Sequence, residues 1–170
     1  MKTMVTNRFH TTLHSDFGYM RAISDGRNLI RLDWNQIPFA EPDHQDDVSR
    51  ETCRQLAAYL AGTRHTFTLP LNAEGTSDIG RSWLEVMARI PYGRTITYGE
   101  FAALAGKPRA PRAAGSACAT NPIPIIYPCH RVVRQGGQLG NYGGGSSLPP
   151  RHPDNLGRKQ ALIDLEKRYA

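Results

Sequence analysis

The sequence holds little cysteine and no long apolar run. Cys53, Cys118 and Cys129 stand far apart in 170 residues, and their odd number and wide spacing argue against a disulfide framework and against a zinc site of paired cysteines. Each must be explained as a thiol. No stretch approaches the roughly 20 apolar residues of a membrane span. The start, "MKTMVTNRFHTTLHSDFG", has no apolar core behind its slight positive charge, so it does not read as a secretory signal. A cytoplasmic protein without a membrane partner is expected. Acidic residues are in the minority: 21 Lys and Arg against 15 Asp and Glu give a formal charge of +6 and a pI near 9.5. Such a balance suits a polyanion, nucleic acid first, without saying which one.

The length accommodates one generous domain or two small ones. "FGYMRAISDGRNLIRLDW" alternates apolar and polar residues around Asp25-Gly26 and places Ile30, Leu32 and Trp34 on one face, which predicts a hairpin in a small antiparallel sheet. Val48 to Ala61 puts Cys53, Leu56 and Leu60 on one helical face, with Gly62 where a helix stops. Cys53 is then a core thiol. "FTLPLNAEGTS" reads as one more strand followed by a linker. The composition next turns helical, which sets a boundary near Gly75: an α/β unit over 1–75 and a mostly helical unit over 76–170. The fold class is α+β.

In the second unit Trp83, Leu84, Met87 and Ile90 mark an amphipathic helix closed by Pro91-Tyr92-Gly93. Thr97 and Glu100 have capping-box spacing and open a short helix that ends at Gly106. A second helix follows, with Pro111 in its first turn and Asn121-Pro122 at its end. The pair is either an ordinary helical hairpin or a DNA-binding helix-turn-helix. The second helix is expected to carry Arg109 and Arg112 on a body of small residues, Ala113 and Gly115 among them, and small side chains let a backbone come close to a groove and its phosphates. Cys118 on this helix reads as packing.

Beyond it, "RQGGQLGNYGGGSSLPPRHPDNLG" reads as a long loop. A last helix over "RKQALIDLEKRY" carries Leu162, Ile163, Leu165 and Tyr169 as its apolar stripe, with Glu166 on the same stripe. An acid there either sits at the rim, pairs with an Arg, or is buried because it holds a histidine.

The chemistry centres on "IPIIYPCHRVV", in which Cys129 and His130 are adjacent. A thiol needs a base to become a nucleophile at neutral pH, and a base works best when a carboxylate orients it. Cys129, His130 and Glu166 form a Cys/His/acid set whose local patterns all point inward. Neighbours on an extended strand face opposite ways, so Cys129 and His130 meet directly only in a turn, or otherwise through a water. A metal site is a poorer account of two adjacent ligands.

"NPIPIIYPCHRVV" followed by "GNYGGG" resembles the active-site signature of the O6-alkylguanine-DNA alkyltransferases. The likeness extends to "LAAYLAGTRHTFTLPL" and to "IPYGRTITYGEFAALAGKPRAPRAAGSA", and it covers the C-terminal two-thirds well. It implies single-turnover repair of double-stranded DNA by a monomer, largely independent of sequence and with no cofactor; no metal site is expected, because the cysteines and histidines that hold zinc where the family has it have no match in this sequence. The methyl of O6-alkylguanine, with O4-alkylthymine as a second candidate, would move irreversibly to Cys129. His130 would be the water-mediated base, Glu166 its orienting carboxylate, and Asn121 the brace of the active-site turn. On the DNA side, Arg112 would fill the gap left by the flipped nucleotide, Tyr98 would crowd the rotating phosphate, and Arg109, Ala113 and Gly115 would face the duplex. Pro128, Val132, Tyr142, Gly143 and Gly144 would line the base pocket.

Two departures from the family pattern touch the pocket. Gly143 stands where a serine is common, and "SSLPPRHPDNLG" lengthens the loop before the last helix, with Arg151 and His152 in it. The lengthened loop is either a lid or DNA contact, or a solvated insertion. A thiol hydrolase would not need the helix-turn-helix. A regulator or lesion sensor without chemistry would leave the Cys-His-Glu set unexplained.

Overall fold

The computed structural model describes residues 7–143 and 145–170. The chain divides into two compact units, one up to Glu74 and one from Gly75.

The first unit is a three-stranded antiparallel sheet in the order β1 (Phe9–Ser15), β2 (Gly18–Ser24), β3 (Leu29–Asn35), with helix α1 (Asp47–Leu60) against it. Alternation works as expected: Leu32 and Trp34 have no solvent exposure and Ile30 is buried. The β2–β3 turn runs over Asp25 to Asn28, because the Asp25 carboxylate accepts from the backbone N–H of Arg27 and Asn28 at 2.9 and 2.8 Å. Asp46 caps α1 in a capping box with Ser49. Cys53 is a core thiol whose Sγ donates to the Thr11 carbonyl at 3.3 Å, and burial pushes it up to about 12. Tyr59, without solvent exposure, takes the core place expected of Leu60. The strand expected in "FTLPL" is only a single bridge between Leu71 and Leu29. Pro70 has no N–H to give a ladder; its carbonyl accepts from Leu29.

In the second unit α2 (Asp78–Met87) starts at Ser77, which caps the Gly80 N–H, and buries Trp83, Leu84 and Met87. Ile90 is buried just beyond. The chain turns at Gly93, whose φ of 78° suits glycine. It then forms β4 (Ile96–Thr97), which pairs in parallel with β5 (Val132–Val133). Thr97 ends β4 and caps α3 (Tyr98–Leu104) in the capping box with Glu100. Because β5 directly follows the Cys129–Arg131 turn, this pairing ties the start of the helical hairpin to the strand next to the thiol. The second helix of that hairpin, α4 (Pro111–Ala119), has proline at its first position and packs Ala114 and Cys118 inward.

The last helix, α5 (Pro153–Tyr169), begins five residues earlier than its apolar stripe predicts. His152 is the N-cap, its Nδ1 accepting from the Asp154 N–H, and Pro153 and Asp154 occupy the first turn. The lengthened loop is correspondingly shorter. It is also held: Asn155 Nδ2 donates to the carbonyls of Leu148 and Pro149, and the Tyr142 N–H donates to the Pro150 carbonyl at 2.9 Å. Among the described residues, no helix is long and apolar enough to cross a membrane.

Candidate active site

The segment before the thiol is not a strand. From Asn121 the chain makes a compact knot: the Tyr127 N–H donates to Ile123 O, the Ile126 N–H to Pro124 O and the Cys129 N–H to Tyr127 O. The last two are γ-turns, one centred on Ile125 at φ 73° and the other on Pro128 at φ −83°, ψ 65°. A buried β-branched residue in the left-handed region is strained, and such strain persists only where the surroundings enforce it. Asn121 is part of that enforcement. Its Nδ2 donates to the Tyr127 carbonyl at 2.8 Å, and its Oδ1 accepts from the Ile123 N–H at 3.0 Å.

The knot delivers Cys129 at the start of a single 3-10 turn, Cys129–Arg131, so Cys129 and His130 do lie in a turn. Cys129 is buried. Burial pushes its thiol up, while the Asn121 side chain, the Lys159 charge and the backbone N–H groups of Cys129 and His130 pull it back. The resting sulfur is therefore a thiol.

His130 has no solvent exposure, and its Nε2 lies 2.6 Å from Glu166 Oε2. Burial holds the imidazole below its ordinary value against the pull of Glu166. It is thus neutral: Nε2–H donates to the carboxylate and Nδ1 is the basic nitrogen. Glu166 does both things open to it from the sequence. It holds His130, and it also accepts a two-point salt bridge from Arg131, Nε to Oε1 at 2.8 Å and Nη2 to Oε2 at 2.9 Å. The Gly93 N–H donates to Oε1 at 3.0 Å. Burial opposes the charge, yet these partners hold the carboxyl well below the usual range. Burial first, and the Arg131 charge on the same carboxylate second, keep so close a carboxylate from turning His130 into a cation.

Two cations of this site were not anticipated. Arg131 is one, anchored also on the Ile90 carbonyl at 2.6 Å. Lys159 is the other. It is buried without exposure and gives its three protons to the carbonyls of Val132, Leu139 and Asn141, at 2.7, 2.5 and 3.1 Å. It thereby ties β5 to the segment leading into Tyr142. The readable signal was spacing: Lys159, Leu162, Ile163 and Glu166 share one face of α5.

Of the pocket residues, Pro128, Val132 and Tyr142 are buried and Gly143 is half-buried. Gly144 lies outside the described residues. A Cβ on Gly143 would stand 3.2 Å from the Ala119 carbonyl, so a serine there would push on the end of α4.

On the outer side a recess of about 370 Å³ is lined by Tyr98, Arg112, Gly115, Arg134, Gly140 and Asn141. Arg112 and Ala113 are exposed on α4 and Gly115 is half-buried there. Tyr98 opens α3, and burial pushes its hydroxyl up to about 12. Arg109 is exposed but is not on the second helix; it sits in the turn before Pro111, which starts α4. Among the described residues no group of His, Cys, Asp and Glu could hold a metal ion.

This arrangement pairs a buried thiol and an oriented neutral imidazole with a helical hairpin of exposed arginine and small residues. A family model described as 6-O-methylguanine DNA methyltransferase, DNA binding domain, matches residues 79–168. A second, the ribonuclease-like domain of the same enzyme, matches residues 9–73. The chain belongs to the 6-O-methylguanine DNA methyltransferase family. Members named methylated-DNA–protein-cysteine methyltransferase include one from Mycobacterium leprae, 45% identical over 69% of this chain and 64% of its own length. One from Methanosarcina barkeri is 50% identical over 69% of this chain and 68% of its own. The alignment thus spans less than two thirds of the Mycobacterium leprae relative. Among solved structures, Mycobacterium tuberculosis O6-methylguanine methyltransferase superposes with a TM-score of 0.79 at 34% identity, covering 96% of this chain and 95% of that one. Mycobacterium tuberculosis OGT in complex with DNA gives 0.77 at 34% identity, covering 95% and 94%.

Proposed function

We propose that this protein repairs DNA by direct reversal, moving the alkyl group of O6-alkylguanine in duplex DNA to its own Cys129. The observation that carries this reading is the buried Cys129–His130–Glu166 set in the same unit as the helix-turn-helix. All the groups the reaction needs lie in that one unit, which suits a monomer. Three thiols kept free suit a reducing compartment such as the cytoplasm.

The alkyl group cannot be reached while the base is stacked, so the nucleotide is flipped, at a cost of about a few kcal/mol. Arg112, exposed at the recess, fills the vacated place, and Tyr98 crowds the rotating phosphate. Gly115 supports close approach of α4 to DNA. Inside a helix it costs about 1 kcal/mol relative to Ala, yet a Cβ at that position would meet nothing within 4 Å. Packing within the chain gives no reason for a glycine there. A partner surface does.

In the pocket His130 Nδ1 takes the thiol proton through a water. Sulfur attacks the alkyl carbon, an S–C bond forms, and the C–O6 bond breaks with its electron pair passing to the purine, which then takes up a proton. The thioether is not hydrolysed. Each molecule therefore acts once.

Intact mass after mixing the protein with a duplex carrying O6-methylguanine tests this, beside a Cys129→Ala control. One added methyl on the wild type alone, stopping at one per protein, is expected. No gain with DNA still bound would leave a lesion sensor without chemistry.

A further inference from the structure

We infer that Arg134 is a positioning residue for the flipped nucleotide: its guanidinium takes hold of a DNA phosphate beside the lesion once that phosphate has rotated into the recess between Tyr98 and Arg112. The inference rests on the alkyl transfer proposed above. It adds an attractive contact to a step in which Arg112 fills space and Tyr98 crowds.

The fold sets Arg134 beside Tyr98. β4 and β5 pair in parallel with Thr97 opposite Val133, so the two residues that follow, Tyr98 and Arg134, leave the ladder side by side. Tyr98 enters α3, and Arg134 enters a tight turn. Its N–H donates to the Gln138 carbonyl at 2.7 Å, and its own carbonyl accepts from the Gly137 N–H at 3.0 Å. Gly136 and Gly137, at φ 87° and 83°, let the turn close. The returning segment then brings Gly140 against both side chains. A Cβ there would stand 2.9 Å from the Tyr98 hydroxyl and 3.4 Å from Arg134 Cγ.

The recess that these residues border carries charge of one sign. Arg112 and Arg134 both line it, and among the described residues no carboxylate does. Both arginines are exposed, and among the described residues neither guanidinium has a hydrogen-bond or salt-bridge partner. Arg21, Arg31, Arg54 and Arg131, by contrast, each hold a carboxylate. Arg151 adds a third guanidinium at the far wall, its Nε donating to Asn141 Oδ1 at 3.2 Å. Lys159 Nζ lies behind, 5.8 Å from the centre of the Tyr98 ring. Like charges gathered round a hollow repel one another, and an anion seated there relieves them. Tyr98 supplies a neutral donor, because burial pushes its hydroxyl up to about 12 and it keeps its proton at neutral pH.

A guanidinium meets a phosphate at two points, which fixes direction as well as charge. Rotating a nucleotide out of the stack carries a flanking phosphate with it. A contact made only after that rotation stabilises the flipped state and leaves the binding of an intact duplex as it was, so it shows in the rate of transfer and not in affinity. The route from this contact to the nucleophile is short: Arg134 follows β5, and β5 follows the Cys129–Arg131 turn.

The test measures single-turnover transfer from duplex O6-methylguanine at saturating DNA for wild type, Arg134→Ala and Arg134→Lys. The ordinary duplex is compared with duplexes in which an uncharged methylphosphonate replaces the phosphate on the 5′ or the 3′ side of the lesion. Affinity for unmodified duplex, thermal midpoints and the reaction of Cys129 with a small alkylating reagent are followed alongside. Arg134→Ala is expected to transfer roughly 10-fold more slowly, the scale of one charge-assisted hydrogen bond, with those three controls near wild type. Lys, which keeps the charge without the fork, should fall between the two. One of the two methylphosphonates should slow wild type by a similar factor and slow Arg134→Ala no further, because both changes remove the same contact. Transfer by Arg134→Ala at the wild-type rate, losses that multiply at both phosphates, or a loss matched by weaker binding of unmodified duplex or by a less reactive Cys129 would overturn the inference. A wild type that transfers nothing from the ordinary duplex would instead overturn the alkyltransferase reading, and this inference with it.

Discussion

His130 Nε2 and Glu166 Oε2 meet at 2.6 Å with neither side chain open to solvent. The contact joins the active-site turn to the last helix, 36 residues on, and it fixes which imidazole nitrogen can act as a base. Burial of His130, helped by Arg131 on the same carboxylate, keeps the pair from becoming a charged dyad.

Glu166→Gln separates these effects. The amide presents no net charge to Arg131, leaving a buried cation uncompensated, and loss of one partner of such a pair costs about 3–5 kcal/mol. The amide can also donate to Nε2, which favours the wrong tautomer and takes the base away. Transfer should fall at least tenfold. Because the folded carboxyl titrates below its ordinary 4.5, its stabilisation is complete above that value and is lost as the pH falls through the folded pKa. Urea denaturation of wild type and variant should accordingly differ most at neutral pH and converge in acid. His130 is held below its ordinary 6.5, so wild-type transfer should persist as the pH drops through that value and decline only further down. A rate that halves at 6.5 would mean an imidazole in ordinary surroundings.

Much of this could be read before any coordinates. The Asp25-Gly26 hairpin, the Thr97–Glu100 capping box and the inward Glu166 are local patterns that the tertiary structure reinforces. What could not be read has physical causes. Ile125 takes a conformation that its own side chain opposes, and periodicity cannot register a residue held against its preference. The start of α5 is hidden because His152-Pro153-Asp154, a helix-start signal, is embedded in residues that usually make loops. Lys159 and Arg131 escaped notice because their partners are backbone carbonyls and an acid distant in sequence, and composition does not record backbone direction. Arg109 was set on the helix by proximity, but Pro111 starts α4 after it.

Arg112 and Arg109 should part company on DNA. Arg112 lines the recess beside Tyr98, where it can replace an extruded base, whereas Arg109 lies in the preceding turn, where a phosphate contact is the natural role. Arg112→Ala is expected to slow transfer roughly 10- to 100-fold, the share of the few kcal/mol of unstacking that an inserted side chain offsets, with a smaller effect on affinity. Arg109→Ala should leave the rate at saturating DNA alone and reduce the salt dependence of binding by about one phosphate contact. Single-turnover kinetics and titrations at several salt concentrations check both. Equal effects of the two substitutions on rate would remove Arg112 from the flipping step.

Asn121 supports the nucleophile without being one. Its amide satisfies two buried backbone groups across the γ-turns, Tyr127 O and Ile123 N–H, and its side chain also helps to lower the Cys129 thiol. Asn121→Ala leaves both backbone groups unpaired at about 1–3 kcal/mol each, so a loss of roughly 2–4 kcal/mol is expected in urea denaturation. With the brace gone, the left-handed Ile125 has less to hold it, and the turn that aims Cys129 should relax. Transfer should then slow in protein that is still folded, although Cys129, His130 and Glu166 are all present. Asn121→Asp makes the argument sharper. The carboxylate can still accept from the Ile123 N–H, but it loses the donor to Tyr127 and sets a negative charge beside the sulfur, disfavouring the thiolate. Reaction of Cys129 with a small alkylating reagent over a pH series should show its thiolate appearing at higher pH in the Asp variant than in wild type. An unchanged profile, with transfer intact in both variants, would reduce Asn121 to a packing residue and leave the strain at Ile125 to be held by the rest of the knot alone.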